Sequence, residues 1–232
     1  NETKSTTIIA MDVVNYSAKM NIDEQGTTQK LKQCRSIIEK ITKEGKGRIF
    51  NTAGDAFMIE FNSTLNAINT GLKIQKAINQ INLKLEKTDI LEFRMGLNIG
   101  DVIIDGTNLL GDGVNVASRL ESIAPPGGIC ISDTVYNLVK NKVSIEFIDK
   151  GKQKLKNIKD EVHCYFVGLQ TGSVNPKKFK IDGSKFLSKT SISLIAASLV
   201  FAILISTYFI IFKFKFDILL KTYVTIPHLH PL

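Results

Sequence analysis

The feature that most constrains this chain is a long uncharged stretch near its C-terminal end. No charged residue occurs between Thr190 and Phe212, and Leu, Ile, Val, Phe and Ala dominate the segment. A helix needs about 20 apolar residues to cross a bilayer, and a buried core helix of that length is seldom apolar on every face. Tyr208, close to one end of the run, suits the bilayer interface. The sequence therefore predicts one transmembrane helix over residues 190–212.

The residues before this run divide into a domain and a basic linker. Residues 1–170 are long enough for one domain with its own core, whereas residues 171–189 are rich in Gly, Ser, Pro and Lys. The formal net charge is +8, and lysines just before an apolar run favour a membrane surface over nucleic acid. We therefore expect a single-pass membrane protein with a cytoplasmic domain, no nucleic-acid partner and a tail at residues 213–232 of unassigned role.

The cysteines and histidines do not form the patterns of a disulfide framework or a zinc site. The three cysteines are widely spaced and lack a C-x-x-C pair, which fits a reducing compartment. The three histidines have no further ligand types beside them in a zinc-site spacing. We interpret these histidines as incidental.

Apolar periodicity inside residues 1–170 changes repeatedly between the strand and helix patterns. Strands and helices interleave with hairpins, so the sequence predicts an α+β fold in which helices pack on an antiparallel sheet. Two of the hairpins are expected to turn at Gly54-Asp55 and at Gly100-Asp101. The predicted strands cover residues 6–14, 48–51, 56–61, 91–99, 102–104, 129–131, 144–148 and 162–167, and the predicted helices cover residues 28–41, 65–83, 113–123 and 134–140.

Two aspartates lie where neighbouring strands are expected to end. Asp12 ends the first strand and Asp55 lies at the tip of the first hairpin, so a sheet that pairs these elements brings both carboxylates to one edge. Paired hard oxygen ligands of this kind bind magnesium or manganese. Alone, a Gly-Asp dipeptide indicates only a turn, and it recurs at Gly100-Asp101 and Gly111-Asp112.

The combination of five segments is far more specific than either aspartate. Together, in order and spacing, these segments resemble the class III adenylate and guanylate cyclase catalytic domain over about residues 5–168. The resemblance implies a ferredoxin-like core and a head-to-tail homodimer, with two active sites that each take residues from both chains. The segments are residues 9–17 (IAMDVVNYS), 50–57 (FNTAGDAF), 94–102 (RMGLNIGDV), 111–121 (GDGVNVASRLE) and 124–132 (APPGGICIS).

By the same resemblance, Asp12 and Asp55 match the metal-binding aspartates of the family, and the carbonyl of Val13 completes the second metal site. The implied cofactors are two Mg²⁺ or Mn²⁺ ions per active site, one near the ribose 3′-hydroxyl and one on the triphosphate. The implied reaction converts ATP into 3′,5′-cyclic AMP and pyrophosphate.

Further substrate-binding and catalytic residues follow from the matched segments. The turn formed by Val14, Asn15, Tyr16 and Ser17 can offer backbone N–H groups to phosphates. Asn15 stands where many relatives have Gly, and Asn tolerates positive φ comparatively well.

The remaining catalytic positions lie in the second half of the domain. Asn115 and Arg119 are four residues apart and share one helix face. The resemblance implies that Asn115 orients the ribose and Arg119 stabilises charge on the α-phosphate, both from the subunit opposite the metals. Lys156 is the candidate for the family's triphosphate-binding lysine, chosen among several neighbouring lysines.

The base-reading positions depart from the well-understood family members. Asn51 occupies the place of the purine-reading Lys of adenylate cyclases or Glu of guanylate cyclases, and Asn108 occupies that of the partnering Asp or Cys. An Asn side chain both donates and accepts hydrogen bonds, so neither base is excluded. ATP is favoured because the Glu and Cys expected of a guanylate cyclase are missing.

Three alternatives stay open at this stage. The first is a guanylate cyclase that makes cyclic GMP. The second is a catalytically silent domain that binds nucleotide or mediates dimerisation, although the retained aspartates, Asn115 and Arg119 argue against it. The third is a cyclic-dinucleotide synthase on a related core, but the Gly-Gly-Asp/Glu-Glu-Phe hairpin expected of such enzymes is absent from the sequence.

Overall fold

A computed structural model describes residues 2–168 of the chain. The predicted linker, transmembrane helix and tail lie outside these residues. Within them, no helix is both long and apolar enough to span a membrane. The elements are β1 (Thr3–Val13), α1 (Tyr16–Ile22), α2 (Glu24–Glu44), β2 (Gly47–Ala53), β3 (Ala56–Phe61), α3 (Thr64–Asn82), β4 (Phe93–Asp105), β5 (Asn108–Leu110), α4 (Asp112–Ile123), β6 (Ile129–Ser132), α5 (Asp133–Val139), β7 (Glu146–Gln153) and β8 (Val162–Gly168).

The strands form one mixed sheet with the order β2-β3-β1-β4-β6-β8-β7, and β5 pairs with β4. Every neighbouring pair is antiparallel except β4 and β6. The predicted α+β class is therefore confirmed. In the first part of the chain, α2 and α3 connect strands in the spatial order β2-β3-β1-β4, which is the arrangement expected of a ferredoxin-like βαββαβ unit.

Alternation along β1 sends its side chains to two different cores. Ile9, Met11 and Val13 pack with residues of α2, α3 and α5. Ile8 and Ala10 pack on the other face, in a cluster that includes a residue of α4. Because Asp12 follows Ala10 by two residues, its side chain lies on the α4 face of the sheet.

The prediction of two strands around a Gly100-Asp101 turn is wrong, because β4 continues through these residues from Phe93 to Asp105. Gly100 serves close packing: a Cβ added there would lie 3.1 Å from the Cα of Gly113 in α4. The chain reverses instead at Gly106, where φ is 59°. It then forms β5, an element that the sequence analysis missed.

A second glycine of β4 fixes the position of α4. A Cβ added at Gly96 would lie 2.1 Å from the carbonyl oxygen of Ala117 and 2.2 Å from the backbone nitrogen of Glu121. The backbone of α4 therefore lies directly against β4, and no larger side chain fits between them. This contact determines where the functional side chains of α4 stand relative to the sheet.

Other boundaries also differ from the predicted ones, and α1 was not among the predicted helices. The α2 helix begins at Glu24, earlier than predicted, because the Asp23 side chain accepts the backbone N–H of Gly26 at 2.9 Å and caps the helix. The last hairpin pairs β7 with β8 as predicted, although β7 begins at Glu146 and extends to Gln153.

Candidate active site

The structure places the first two predicted carboxylates at one edge of the sheet. Asp12 is the penultimate residue of β1, and Asp55 lies in the turn between β2 and β3. The backbone N–H of Val13 donates a hydrogen bond to Oδ2 of Asp55 at 3.0 Å. The two acidic residues are therefore linked through one peptide group, which fixes the Asp55 carboxylate beside the end of β1.

Helix α2 holds the turn that carries Asp55. Nη2 of Arg35 donates to the carbonyl oxygen of Gly54 at 3.2 Å, and the guanidinium lies 4.8 Å from the centroid of the Phe57 ring. Gly54 adopts a φ of 61°, which the turn requires and which other residue types seldom adopt. Arg35 was not singled out from the sequence, because this contact joins segments that are 19 residues apart.

Arg94 lies directly opposite Asp12 in the antiparallel register of β1 and β4. Its Nη2 atom donates to Oδ1 and Oδ2 of Asp12 at 3.1 and 3.3 Å. Its Nε atom lies 3.1 Å from Oε1 of Glu121, but that oxygen accepts no hydrogen bond, because the Nε–H donates to Asp12 instead. Two carboxyl groups thus share one guanidinium.

Neither Arg94 nor Glu121 was predicted as a site residue, although both lie in matched segments. An available signal was the cross-strand pairing of opposite charges, which becomes visible once β1 and β4 are aligned. Strand pairing alone does not reveal Glu121, because its position beside Arg94 depends on how closely α4 packs against β4.

The pKa values of two carboxyl groups at this edge, those of Asp55 and Glu121, are raised. Burial and the negative charge of Asp12 raise the pKa of Asp55, although the hydrogen bond from Val13 opposes this shift. Burial and the neighbouring Asp12 carboxylate raise the pKa of Glu121 to about 8. Glu121 is therefore mostly protonated at neutral pH, whereas the Asp12 and Asp55 carboxylates together carry more negative charge than Arg94 balances, and a cation bound here would relieve that excess.

The residues at this edge fit a divalent cation only as part of a larger ligand set. No group of three or more His, Cys, Asp or Glu side chains in residues 2–168 is arranged to hold a metal ion. Two carboxylates are nevertheless enough for Mg²⁺, which commonly binds one or two of them and takes its other ligands from water and substrate phosphates. Asp12 and Asp55 supply that pair of hard oxygen ligands.

The predicted phosphate-binding turn needs one correction. The backbone N–H of Val14 donates to the carbonyl oxygen of Glu92 at 2.8 Å and is not available to a phosphate in this conformation. Asn15 adopts a φ of 56°, in keeping with the expectation for this position, and its side chain does not cap α1. Tyr16 and Ser17 open the helix, where backbone N–H groups have no intrahelical acceptor.

The two predicted base-reading residues are brought together. A β-bulge at Phe50 shifts the register of β2, so that Asn51 faces Met58 on the α4 side of the sheet. Nδ2 of Asn51 lies 3.4 Å from Oδ1 of Asn108 and donates to it. The same oxygen accepts the backbone N–H of Leu109 at 3.0 Å.

The other three predicted side chains lie on α4 and in the connection between β7 and β8. Asn115 is exposed and Arg119 is half-buried on α4, and Lys156 is exposed in the connection between β7 and β8. Across residues 2–168, none of these three side chains forms a hydrogen bond or ion pair with Asp12 or Asp55.

The fold and the site together define a class III nucleotidyl cyclase domain. Residues 1–168 match the family described as the adenylate and guanylate cyclase catalytic domain. Because this match covers more than half of the chain, the protein belongs to that family.

Relatives of both specificities are found among proteins similar to this chain. A putative adenylate cyclase 3 of Rhizobium meliloti (strain 1021) is 36% identical over 159 residues, which are 68% of this chain and 27% of that protein. The soluble guanylate cyclase subunit alpha-2 of Rattus norvegicus is 35% identical over 97 residues, which are 38% of this chain and 13% of that protein. This chain therefore spans about a quarter or less of the length of these relatives.

A solved structure supports the same family. The adenylate/guanylate cyclase/hydrolase of Silicibacter pomeroyi aligns with a TM-score of 0.68 and 34% sequence identity. The alignment covers 72% of this chain and 97% of that one.

Proposed function

We propose that this chain converts ATP into 3′,5′-cyclic AMP and pyrophosphate. The observation that carries the proposal is the placement of Asp12 and Asp55 at one sheet edge, in a domain of the cyclase family. In the reaction, the ribose 3′-oxygen forms a bond to the α-phosphorus while the bond between that phosphorus and the bridging oxygen of the β-phosphate breaks. Pyrophosphate leaves, and the proton of the 3′-hydroxyl passes to solvent water.

Asp12 and Asp55, with the Val13 carbonyl, are proposed to hold two Mg²⁺ or Mn²⁺ ions. When bound, these ions would supply stabilisation of the 3′-alkoxide and neutralisation of the triphosphate charge. The chain's own contribution is placement: Val13 N–H orients the Asp55 carboxylate, and Arg94 orients that of Asp12. Such preorganisation lowers the barrier because little rearrangement is needed when the substrate binds.

The hydrogen-bonding groups of Asn51 and Asn108 are compatible with adenine, and the lack of an acidic side chain beside them favours it over guanine. Because the backbone N–H of Leu109 donates to Oδ1 of Asn108, the Asn108 side chain keeps its NH₂ group for a ligand. The Asn51 amide donates to the same Oδ1, and its own oxygen stays free to accept. One donor and one acceptor match N1 and the 6-amino group of adenine, and they also match O6 and N1–H of guanine. The Watson–Crick edge of guanine carries two adjacent donors, which suit the two oxygens of an acidic side chain, and neither residue is acidic.

The similarity to a putative adenylate cyclase also supports ATP. The similarity to a soluble guanylate cyclase subunit keeps cyclic GMP synthesis as the alternative function.

A second copy of the chain is proposed to complete each site. Asn115 and Arg119 form no hydrogen bond or ion pair with Asp12 or Asp55 within residues 2–168, and a head-to-tail homodimer would present them to substrate bound by the partner. In that arrangement Asn115 orients the ribose, Arg119 stabilises charge on the α-phosphate, and Lys156 contacts the triphosphate. Residues 190–212 are proposed to anchor the dimer in a membrane, with the catalytic domain in the cytoplasm.

The catalytic proposal is tested by ATP turnover with Mn²⁺ or Mg²⁺. We expect cyclic AMP from the wild-type chain and a loss of about 10³-fold in Asp55→Ala. The control is Asp101→Ala, which removes an exposed carboxylate from another Gly-Asp pair and should keep full turnover. Nucleotide binding by folded wild-type protein without any cyclic product would instead establish the silent-domain alternative.

The shared-site proposal is tested by mixing two inactive chains, Asp55→Ala and Arg119→Ala. Random pairing makes half of the dimers mixed, and each mixed dimer has one intact site, so about a quarter of wild-type activity is expected. The absence of rescue in mixtures that do exchange subunits would contradict shared sites.

A further inference from the structure

Arg48 joins two segments that carry the proposed base-reading residues. It lies on β2, three residues before Asn51. Its Nη1 atom donates to the carbonyl oxygen of Thr107 at 2.6 Å. That carbonyl belongs to the peptide group that begins Asn108, so the contact holds the peptide plane from which the Asn108 side chain projects.

A second donor of the same guanidinium, Nε, is bound to a buried acid. Nε of Arg48 donates to Oε1 of Glu60 on β3, and Glu60 is only 8% exposed. The Lys4 ammonium lies 2.9 Å from the second oxygen of Glu60. Because both carboxylate oxygens face a cation, Glu60 fixes the orientation of the Arg48 fork, whose planar geometry directs Nη1 towards Thr107.

Packing beneath this contact makes the connection firm. Phe50, the bulged residue of β2, and Leu109 of β5 belong to one buried cluster. Apolar contacts of Phe50 and Leu109 and the hydrogen bond from Arg48 to Thr107 therefore hold the turn at Gly106 and Thr107 close to β2. Asn51 and Asn108 project from the two segments that are joined in this way.

We propose that Arg48 is a positioning residue for base selection, which sets the spacing between Asn51 and Asn108 by tying the turn before β5 to β2. This inference rests on the proposed role of the two asparagines in base recognition. Arg48 does not touch the base; it determines whether the donor of Asn108 and the acceptor of Asn51 meet the purine edge together.

The test is a comparison of kcat and KM for ATP and for GTP in the full chain. Arg48→Lys keeps a positive charge beside Glu60 but lacks the fork that also reaches Thr107. We expect the ATP-to-GTP ratio of kcat/KM to change by about fivefold, mainly through KM, because the loss corresponds to one positioned hydrogen bond. Unfolding midpoints establish that the variants are folded.

Two further variants make the result decisive. The double variant Arg48→Met with Glu60→Met removes the Thr107 contact without leaving a buried charge unpaired, and it should shift the ratio in the same direction. The control Lys4→Gln removes the other cation of Glu60 but leaves the Thr107 contact in place, and its ratio should stay within about twofold of wild type.

Failure of the inference is distinguishable from failure of the proposed function. An unchanged ratio in both Arg48 variants, with an altered ratio in Asn108→Ala, would overturn the role of Arg48 alone. An unchanged ratio in Asn108→Ala as well would overturn the base-reading assignment and the role of Arg48 with it. A wild-type chain that forms neither cyclic nucleotide would overturn the proposed function itself.

Discussion

The metal end and the base end of the proposed site differ in the balance of acidic and basic side chains. At the metal end, the three carboxyl groups of Asp12, Asp55 and Glu121 have Arg94 as their neighbouring cation, and the pKa values of Asp55 and Glu121 are raised. At the base end, the single carboxylate of Glu60 is shared by two cations. Burial raises the pKa of Glu60, but the guanidinium and ammonium groups outweigh it and lower that pKa overall.

The unbalanced charges at the metal end are typical of a ligand-binding site, whereas the balanced charges around Glu60 are typical of a structural contact. Unbalanced carboxylates destabilise the folded chain slightly, and a bound cation is what would satisfy them. A balanced buried acid stabilises the arrangement of the strands around it, and it needs no ligand. We therefore expect that removing an acid at the metal end costs activity, whereas removing Glu60 costs stability.

The largest effect is expected from Asp12→Asn. Turnover should fall by about 10³-fold because a metal ligand is lost, while the free energy of unfolding should not decrease by more than about 0.5 kcal/mol. The measurements are cyclic nucleotide formation and urea unfolding. A loss of stability as large as the one expected for Glu60→Gln would remove the distinction between the two ends.

The next effect is the loss of the ion pairs that Glu60 forms with Arg48 and Lys4, in Glu60→Gln. At pH 7 the free energy of unfolding should fall by about 2 kcal/mol, because Arg48 loses a charged acceptor and Lys4 loses its partner. The lowered pKa of Glu60 gives the sign of the pH dependence. Its stabilisation is present above the unfolded value of 4.5 and is lost as the pH falls through the lower folded pKa.

Urea unfolding at pH 7 and at pH 3 measures this difference. Wild type should lose more stability than Glu60→Gln over that interval, and the two proteins should converge at acid pH. Parallel curves would show that Glu60 is not ionised and paired in the folded chain. Lys4→Gln offers a matched control, which should retain most of the stabilisation because the Arg48 contact remains.

The last effect concerns Glu121, where the sign is reversed. The folded pKa of about 8 lies above the ordinary value of 4.5, so the folded chain binds more protons than the unfolded chain between these pH values. Wild-type stability should therefore fall as the pH rises through this window. A pKa raised from 4.5 to about 8 corresponds to a fall of about 4 kcal/mol between pH 5 and pH 8.5, and Glu121→Gln should remove most of it. A variant that unfolds with the same pH dependence as wild type would show that Glu121 titrates normally.

Local patterns predicted the parts of the fold that depend on neighbouring residues. The hairpin at Gly54-Asp55 was expected from its turn chemistry, and the helices over α2, α3, α4 and α5 from their apolar periodicity. The same reasoning misplaced a turn at Gly100-Asp101, because Gly100 is required by its contact with Gly113 in α4. A glycine that serves close packing looks the same in sequence as a glycine that serves a turn.

The site was predictable to the extent that its residues lie in recognisable segments. Asp12 and Asp55 were found from strand ends, and Asn51 and Asn108 from the resemblance to cyclases. Arg94 and Arg48 act across pairs of strands, through contacts with residues 82 and 59 positions away in the chain. Strand register and helix crossing determine such contacts, and a single sequence carries little information about either.

The most direct test of the central claim is a competition assay with equal concentrations of ATP and GTP and with Mn²⁺, in which both cyclic products are quantified. The account predicts cyclic AMP in excess from the wild-type chain and about 10³-fold less product from Asp55→Ala. Cyclic GMP in excess would contradict the base assignment, and the absence of both products from folded, nucleotide-binding wild-type protein would contradict the catalytic account.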